Sequence, residues 1–375
     1  MKVLQLGKFY PIRGGVEKVM YDLMLGLSEA GVPCDMLCAS TEDQPGETIH
    51  INPLARVFVM PTQISAAATK LAPSLITTLR RIAKNYDIIH VHHPDPMACL
   101  ALYLAGYKGK VLLHWHSDIL KQKLLLKVYA PLQSWLIKRA DHIVGTTPKY
   151  VAESPFLRKV QHKTSYIPIG VEPLHPDPAL VAQLQARYAG KKIVLSLGRL
   201  VAYKGYAHLI EAASNLPDDY HILIGGKGPL REELQALIVE RNLQKKVSLL
   251  GYVADEEIPA YFAACHLFCL PSVLKTEAFA IVQIEAMSCG KPIVSTDIPE
   301  SGVSWVNQDG VSGLVVPIAD ALQLARKIQE IGENPRLYEQ LSAGAKARFA
   351  SLFTRGHMVE VALTVYRQLL ESKIK

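Results

Sequence analysis

No apolar run in this 375-residue sequence approaches the ~18 residues needed to cross a bilayer; the longest candidate is Met97 to Tyr107. No spanning helix is therefore expected. The opening M-K-V-L-Q-L-G-K-F-Y is too short in apolar residues for a signal peptide and reads as a first strand, so the expected location is the cytoplasm. Cysteine is scarce: six residues, at 34, 38, 99, 265, 269 and 289, with no C-x-x-C pair and mostly in apolar strand or helix contexts, so buried free thiols are expected. Cys265 beside His266 lacks the second histidine and spacing of a metal site. Also missing are G-x-G-x-x-G, the P-loop and a D-x-D carboxylate pair at a strand end. With 49% apolar and 20% charged residues, the composition excludes disorder.

The chain is long enough for two ordinary domains, and its net charge of +7 is unevenly placed. Residues 1–170 carry 20 Lys and Arg against 12 Asp and Glu, the remainder 21 against 22. A basic half suggests an anionic partner such as a membrane surface or a lipid pyrophosphate. Nucleic acid is not expected, because no binding module or basic-aromatic interleaving is present.

The most informative stretch is Ser272 to Ser295, S-V-L-K-T-E-A-F-A-I-V-Q-I-E-A-M-S-C-G-K-P-I-V-S. It reads as loop, helix and strand, with the helix stopping at Gly290-Lys291-Pro292. A helix opening behind a strand end presents N–H groups and the positive end of its dipole, which suits phosphate. Glu277 and Glu285 could accept bonds from ligand hydroxyls, and Glu285 is expected to be buried because its helix is apolar.

The other elements alternate strand and helix. Strands are expected at Val3 to Gly7, Asp35 to Ser40, Val57 to Pro61, Asp87 to His93, Lys110 to His116, Asp141 to Thr146 and Thr164 to Ile169, and a second series begins at Lys192. Such alternation implies two α/β, Rossmann-like domains with parallel sheets. The boundary is placed at Gly170 in P-I-G-V-E, giving domains 1–170 and 171–356, with a last helix at 357–375. Lys121 to Arg139 reads as a basic, apolar helix pair interrupted by Pro131, and either a core element or a peripheral membrane contact. His92, His93 and His114, at strand ends, read as structural. Gly198-Arg199 and Lys204-Gly205 bracket a turn whose two cations suit a diphosphate.

E-x7-E followed by A-M-x-x-G-x-P-I-V resembles the signature of retaining, nucleotide-sugar-dependent glycosyltransferases of family 4, which have the GT-B architecture of two facing Rossmann-like domains. G-G-x-E at Gly14, Gly15 and Glu17, the histidine of H-W-H-S-D at His116, and G-R-L-x-x-x-K-G at Arg199 and Lys204 match further motifs in the expected order. The resemblance runs from Gly14 to about Pro317, and it implies that the C-terminal helix, 357–375, crosses back to join the first domain. It implies that Arg199 and Lys204 stabilise the leaving diphosphate without a metal, that Glu277 and His116 contact the transferring sugar, and that Glu285 holds the ribose diol. Gly14, Gly15, Gly228, Phe279, Ala280 and Ile281 complete the donor site, and Glu17, Lys121 and Lys123 face the acceptor. Ala280 departs from the family, many members having glycine there.

H-S-D-I-L-K-Q-K, V-N-Q-D-G-V-S-G and P-I-G-V-E look similar to bacterial O-antigen and capsule mannosyltransferases that use GDP-mannose. The resemblance thus implies GDP-mannose as co-substrate, no cofactor, and a saccharide or polyprenyl-pyrophosphate-linked acceptor, while the basic half and the helix at Lys121 to Arg139 suggest peripheral contact with an anionic inner membrane. UDP-glucose, UDP-galactose or UDP-N-acetylhexosamine donors remain open. So does an epimerase or phosphorylase of the same architecture, whereas an inactive membrane-attached scaffold would need loss of motif residues, and none is lost.

Overall fold

The computed structural model describes residues 1–42, 45–66, 69–119 and 123–371. The chain divides into two compact units, Met1–Gly170 with Arg355–Lys375, and Val171–Thr354.

The first unit contains β1 (Val3–Tyr10), β2 (Cys34–Ser40), β3 (Glu47–Asn52) and β4 (Ala55–Met60), then a small antiparallel hairpin of β5 (Ile64–Ala66) and β6 (Thr69–Leu71). After these come β7 (Ile88–His93), β8 (Lys110–Trp115), β9 (His142–Gly145) and β10 (Thr164–Tyr166). Across the main sheet the order is β10-β9-β8-β7-β1-β2-β4-β3. Every pairing is parallel except that of β3 with β4. The central strands β2, β7 and β8 are buried along their whole length and β1 over its first six residues, as strands covered by helices on both faces are. The antiparallel edge strand was not anticipated: E-T-I-H-I-N alternates polar and apolar side chains, as a half-exposed edge does.

The expected break at Pro131 is absent. Lys123–Arg139 is one continuous helix with Pro131 inside it. Proline removes one hydrogen bond; burial of Tyr129, Gln133 and Leu136 on the side facing the core offsets the loss. The C-terminal helix, Arg355–Glu371, begins two residues earlier than expected and buries Met358, Ala362 and Tyr366 in the first unit. Its close approach to the helix Gly15–Glu29 needs Gly26, where a Cβ would stand 2.5 Å from Val359 Cγ2.

The second unit has six strands, β11 (Lys192–Leu197), β12 (Tyr220–Gly225), β13 (Val247–Gly251), β14 (Leu267–Leu270), β15 (Ile293–Asp297) and β16 (Gly313–Pro317). Their order is β13-β12-β11-β14-β15-β16, all parallel. A typical covering helix, Ala321–Glu333, is capped by the Asp320 carboxylate and packs Leu324, Ala325, Ile328 and Ile331 into the core.

In both sheets the chain starts in the middle, builds outward on one side and then returns to build on the other. The reversal falls between β1 and β7 in the first unit and between β11 and β14 in the second. At such a point the loops leaving two adjacent strands diverge, and ligands of open α/β sheets bind there, outside the carboxyl ends of the strands.

Candidate active site

In the second unit the loops after β11 and β14 meet at that reversal. Lys204 Nζ lies 2.6 Å from Glu277 Oε2. The pairing is enforced from both sides. Gly205, at φ +66°, sits so close to the neighbouring loop that a Cβ would fall 2.1 Å from the Pro271 carbonyl oxygen, so the K-G turn can press its lysine against the loop after β14. From the other side, Ser272 Oγ donates to the same Glu277 oxygen at 2.9 Å, and the Glu277 carbonyl accepts from Ser301 Oγ. Glu277 is thus a buried, paired carboxylate, as an unpaired one would be costly. Arg199 projects from the same turn, exposed apart from a contact of 3.4 Å with Tyr203 Oη. Gly228 packs its Cα against the G-R-L segment; a Cβ there would lie 2.3 Å from the Leu200 carbonyl oxygen.

The helix Ile281–Ser288 starts behind this pair. Ala280, its N-cap, has φ 63° and ψ 82°, a left-handed conformation that glycine adopts readily and alanine at a cost. The departure from the family motif therefore falls at a position whose backbone asks for glycine. The helix's first N–H groups lack acceptors within the helix and, with its dipole, favour an anion in front of Ala280 and Ile281. Phe279 contributes backbone only, since its ring packs edge-on against Phe353 with centroids 5.9 Å apart.

Glu285 is not buried. The expectation came from its apolar neighbours, but the helix spans eight residues and buries Gln283, Ile284, Ala286 and Met287, leaving Glu285 partly exposed.

In the first unit Gly14 caps the helix Gly15–Glu29. Glu17 folds back over it, its carboxylate reaching into the space a Cβ on Gly14 would take. His116 follows β8 and is 4% exposed. The loop carrying it is braced by Asp118, whose Oδ1 accepts from Trp115 Nε1 and Ser154 Oγ, each at 2.9 Å. Burial, with the fields of His114, His92, Lys8 and His90, holds His116 well below the usual histidine range, so it is neutral at pH 7. Lys121 lies outside the described residues; Lys123 opens the helix Lys123–Arg139, and its side chain is not described.

Sequence reasoning missed Lys8 and Asp95, which occupy the reversal between β1 and β7. Lys8 takes a left-handed φ of 61°, its backbone N–H donates to Asp95 Oδ2 at 2.5 Å, and its ammonium donates to the Pro94 carbonyl. Burial pulls the Lys8 pKa down, while Asp95 and Glu17 oppose that shift. The available signal was Gly7-Lys8 interrupting a mostly apolar strand.

Residues 13–173 match the family model Glycosyltransferase Family 4, and residues 182–348 match Glycosyl transferases group 1. The O-antigen chain mannosyltransferase C of Escherichia coli is 33% identical over 379 residues, covering all of both chains. This chain belongs to glycosyltransferase family 4. A D-rhamnosyltransferase of Pseudomonas aeruginosa is 32% identical over 94% of this chain and 92% of its own. Among solved structures, a sucrose-phosphate synthase from Thermosynechococcus elongatus matches over both full chains with a TM-score of 0.81 at 23% identity. The Anabaena HepE complex with UDP gives 0.78 over 98% of this chain and 100% of its own, at 22% identity. The fold is GT-B, and the family 4 chain is a glycosyltransferase.

Proposed function

We propose that this glycosyltransferase is a retaining enzyme that moves mannose from GDP-mannose to a lipid-linked or saccharide acceptor in bacterial surface polysaccharide synthesis. The observation that carries the reading is the Lys204–Glu277 pair at the reversal of the second sheet, in front of the helix start at Ala280. The anomeric C–O bond breaks, the nucleoside diphosphate leaves, and the acceptor oxygen bonds the same face of the sugar. Its proton passes to an oxygen of the leaving phosphate. Arg199, Lys204 and the helix N-terminus stabilise the charge growing on that phosphate, so that no metal is needed. Glu277 and His116 hold sugar hydroxyls, and Glu285 the ribose diol. The O-antigen relative supports the sugar and the pathway class.

A second reading rests on the D-rhamnosyltransferase relative, of nearly the same identity. D-rhamnose is 6-deoxymannose, so the two donors differ in one hydroxyl. A site that hydrogen-bonds the 6-hydroxyl discriminates strongly against its absence. The test is turnover of GDP-mannose, nucleotide-linked D-rhamnose and the UDP-hexoses with EDTA present, with and without acceptor. Selective turnover of GDP-mannose is expected. An absolute requirement for Mg²⁺ or Mn²⁺ overturns the metal-free mechanism, and preference for a UDP-sugar overturns the donor.

Peripheral membrane contact belongs to the same proposal. No helix among the described residues is long and apolar enough to cross a membrane, but Val128 is 78% and Tyr103 52% exposed, the latter packed edge-on against Trp135. Their unit carries 24 Lys and Arg against 14 Asp and Glu. Sedimentation with anionic vesicles but not neutral ones, weakened by Val128→Glu, is the expected result; equal recovery with both vesicle types overturns it.

A further inference from the structure

Polar side chains form a connected line on one face of the first sheet. Tyr366 Oη, from the C-terminal helix, lies 2.7 Å from His90 Nδ1 and 3.2 Å from Gln5 Nε2. Gln5 Oε1 lies 2.7 Å from His92 Nε2, and His92 Nδ1 lies 2.8 Å from His116 Nε2. None of these residues is more than 4% exposed.

A neutral imidazole has one N–H and one lone pair, so the partner of one nitrogen dictates the role of the other. Gln5 turns its NH₂ toward Tyr366 Oη and Cys34 Sγ, and its carbonyl toward His92. His92 then donates from Nε2 and accepts at Nδ1. His116 in turn donates from Nε2, which leaves its buried Nδ1 with a lone pair and no hydrogen-bond partner among the described residues. We infer that Gln5, held by Tyr366 and acting through His92, fixes His116 as the Nε2–H tautomer, so that His116 meets a hydroxyl of the transferring sugar as an acceptor through Nδ1. The inference rests on reading His116 as the sugar-contacting residue; Gln5, His92 and Tyr366 are positioning residues. Burial holds the rings of His92 and His116 neutral, as the line requires, since a protonated ring would donate from both nitrogens. Reversing the Gln5 amide would reverse the line and turn Nδ1 of His116 into a donor. One side chain thus sets the polarity of a group two hydrogen bonds away.

His92, His114 and His116 also bring one nitrogen each within 4.8 Å of the others, a spacing that invites comparison with a metal site. Their rings stack instead: His114 and His116 have centroids 3.9 Å apart and planes 16° apart, and His92 and His116 5.1 Å and 14°. Lone pairs in nearly parallel planes run side by side and do not converge on one ion at ~2.0 Å.

The test is a nitrogen-15 histidine spectrum of the full chain, with His116 assigned by its loss in His116→Asn. The expected result is a proton on Nε2 and none on Nδ1. Gln5→Leu is expected to release the tautomer into a mixture and lower kcat/KM about tenfold, the loss of one ordinary hydrogen bond; Gln5→Glu, which keeps an acceptor for His92, restores the single form. A proton on Nδ1 in the unaltered protein overturns the inference. So does an unchanged His116 signal in folded Gln5→Leu, or a stoichiometric shift of all three histidines on adding Zn²⁺. The spectrum is read without turnover, so failure to find a sugar donor would sink the proposed function and leave the tautomer to be decided separately.

Discussion

Lys204 and Glu277, from loops after adjacent strands of the second sheet, meet at 2.6 Å with each side chain 10% exposed. Removing one partner of such a pair strands the other charge, which costs about 3–5 kcal/mol. Lys204→Ala should therefore lower both stability and rate. Charge on the bridging oxygen increases as the glycosidic bond breaks, so the cation helps the transition state more than the ground state. A kcat loss on the order of 10² to 10³ is expected. Lys204→Met combined with Glu277→Gln separates the two effects: it should recover much of the melting temperature and none of the rate. A kcat within about threefold of the unaltered enzyme in folded Lys204→Ala, less than ~1 kcal/mol, would refute the role.

Ala280 makes the next prediction. Its φ of 63° costs an L-residue roughly 1–2 kcal/mol, whereas glycine in its place loses about 0.5–1 kcal/mol more conformational entropy on folding. Ala280→Gly should therefore stabilise the second unit by about 0.5–1 kcal/mol, or roughly 2 °C in melting temperature, with activity retained. Calorimetry showing a lower melting temperature would mean that the Cβ makes a contact worth more than the strain.

These two positions show what the sequence could and could not disclose. The motif residues were legible because their chemistry needs particular side chains: glycine where backbones touch, as at Gly205, and cations and carboxylates for a sugar diphosphate. The strain at Ala280 was visible only as a departure from the motif. The direct pairing of Lys204 with Glu277 was hidden because strand order, set by packing across the whole sheet, makes β11 and β14 neighbours. The line from Gln5 to His116 was hidden for the same reason, since it depends on β1, β7 and β8 lying side by side. Glu285 was misread because apolar neighbours in sequence do not say which side of a short helix faces the core.

The partial exposure of Glu285 changes what its removal should do. A buried charge would couple binding to folding; a half-exposed one does not. Glu285→Ala should weaken nucleoside diphosphate binding by ~1.5–3 kcal/mol if it accepts bonds from the ribose diol, while the melting temperature stays within about 1 °C. Titration calorimetry decides, and unchanged affinity would remove Glu285 from the donor site.

The histidines of β7 and β8 predict an acid-labile first unit. His93 and His114 are pushed down to about 3, mainly by burial, with the Lys8 charge adding to the shift at His93. His90, His92 and His116 move in the same direction for the same reason. In the unfolded chain each would titrate near ~6.5. Because the folded values are depressed, the unfolded state takes up protons first, and stability present above pH 6.5 is lost as pH falls toward 3. At pH 5 each such group costs about 2 kcal/mol, so His93 and His114 alone account for about 4 kcal/mol. Most carboxylates are still ionised at that pH, which separates this effect from ordinary acid unfolding. The transition of the first unit should fall steeply between pH 7.5 and 5, and His114→Phe, which removes one titrating ring, should flatten that slope by up to one proton. A melting temperature independent of pH across this window would mean that the rings take up protons in the folded state, contrary to their burial.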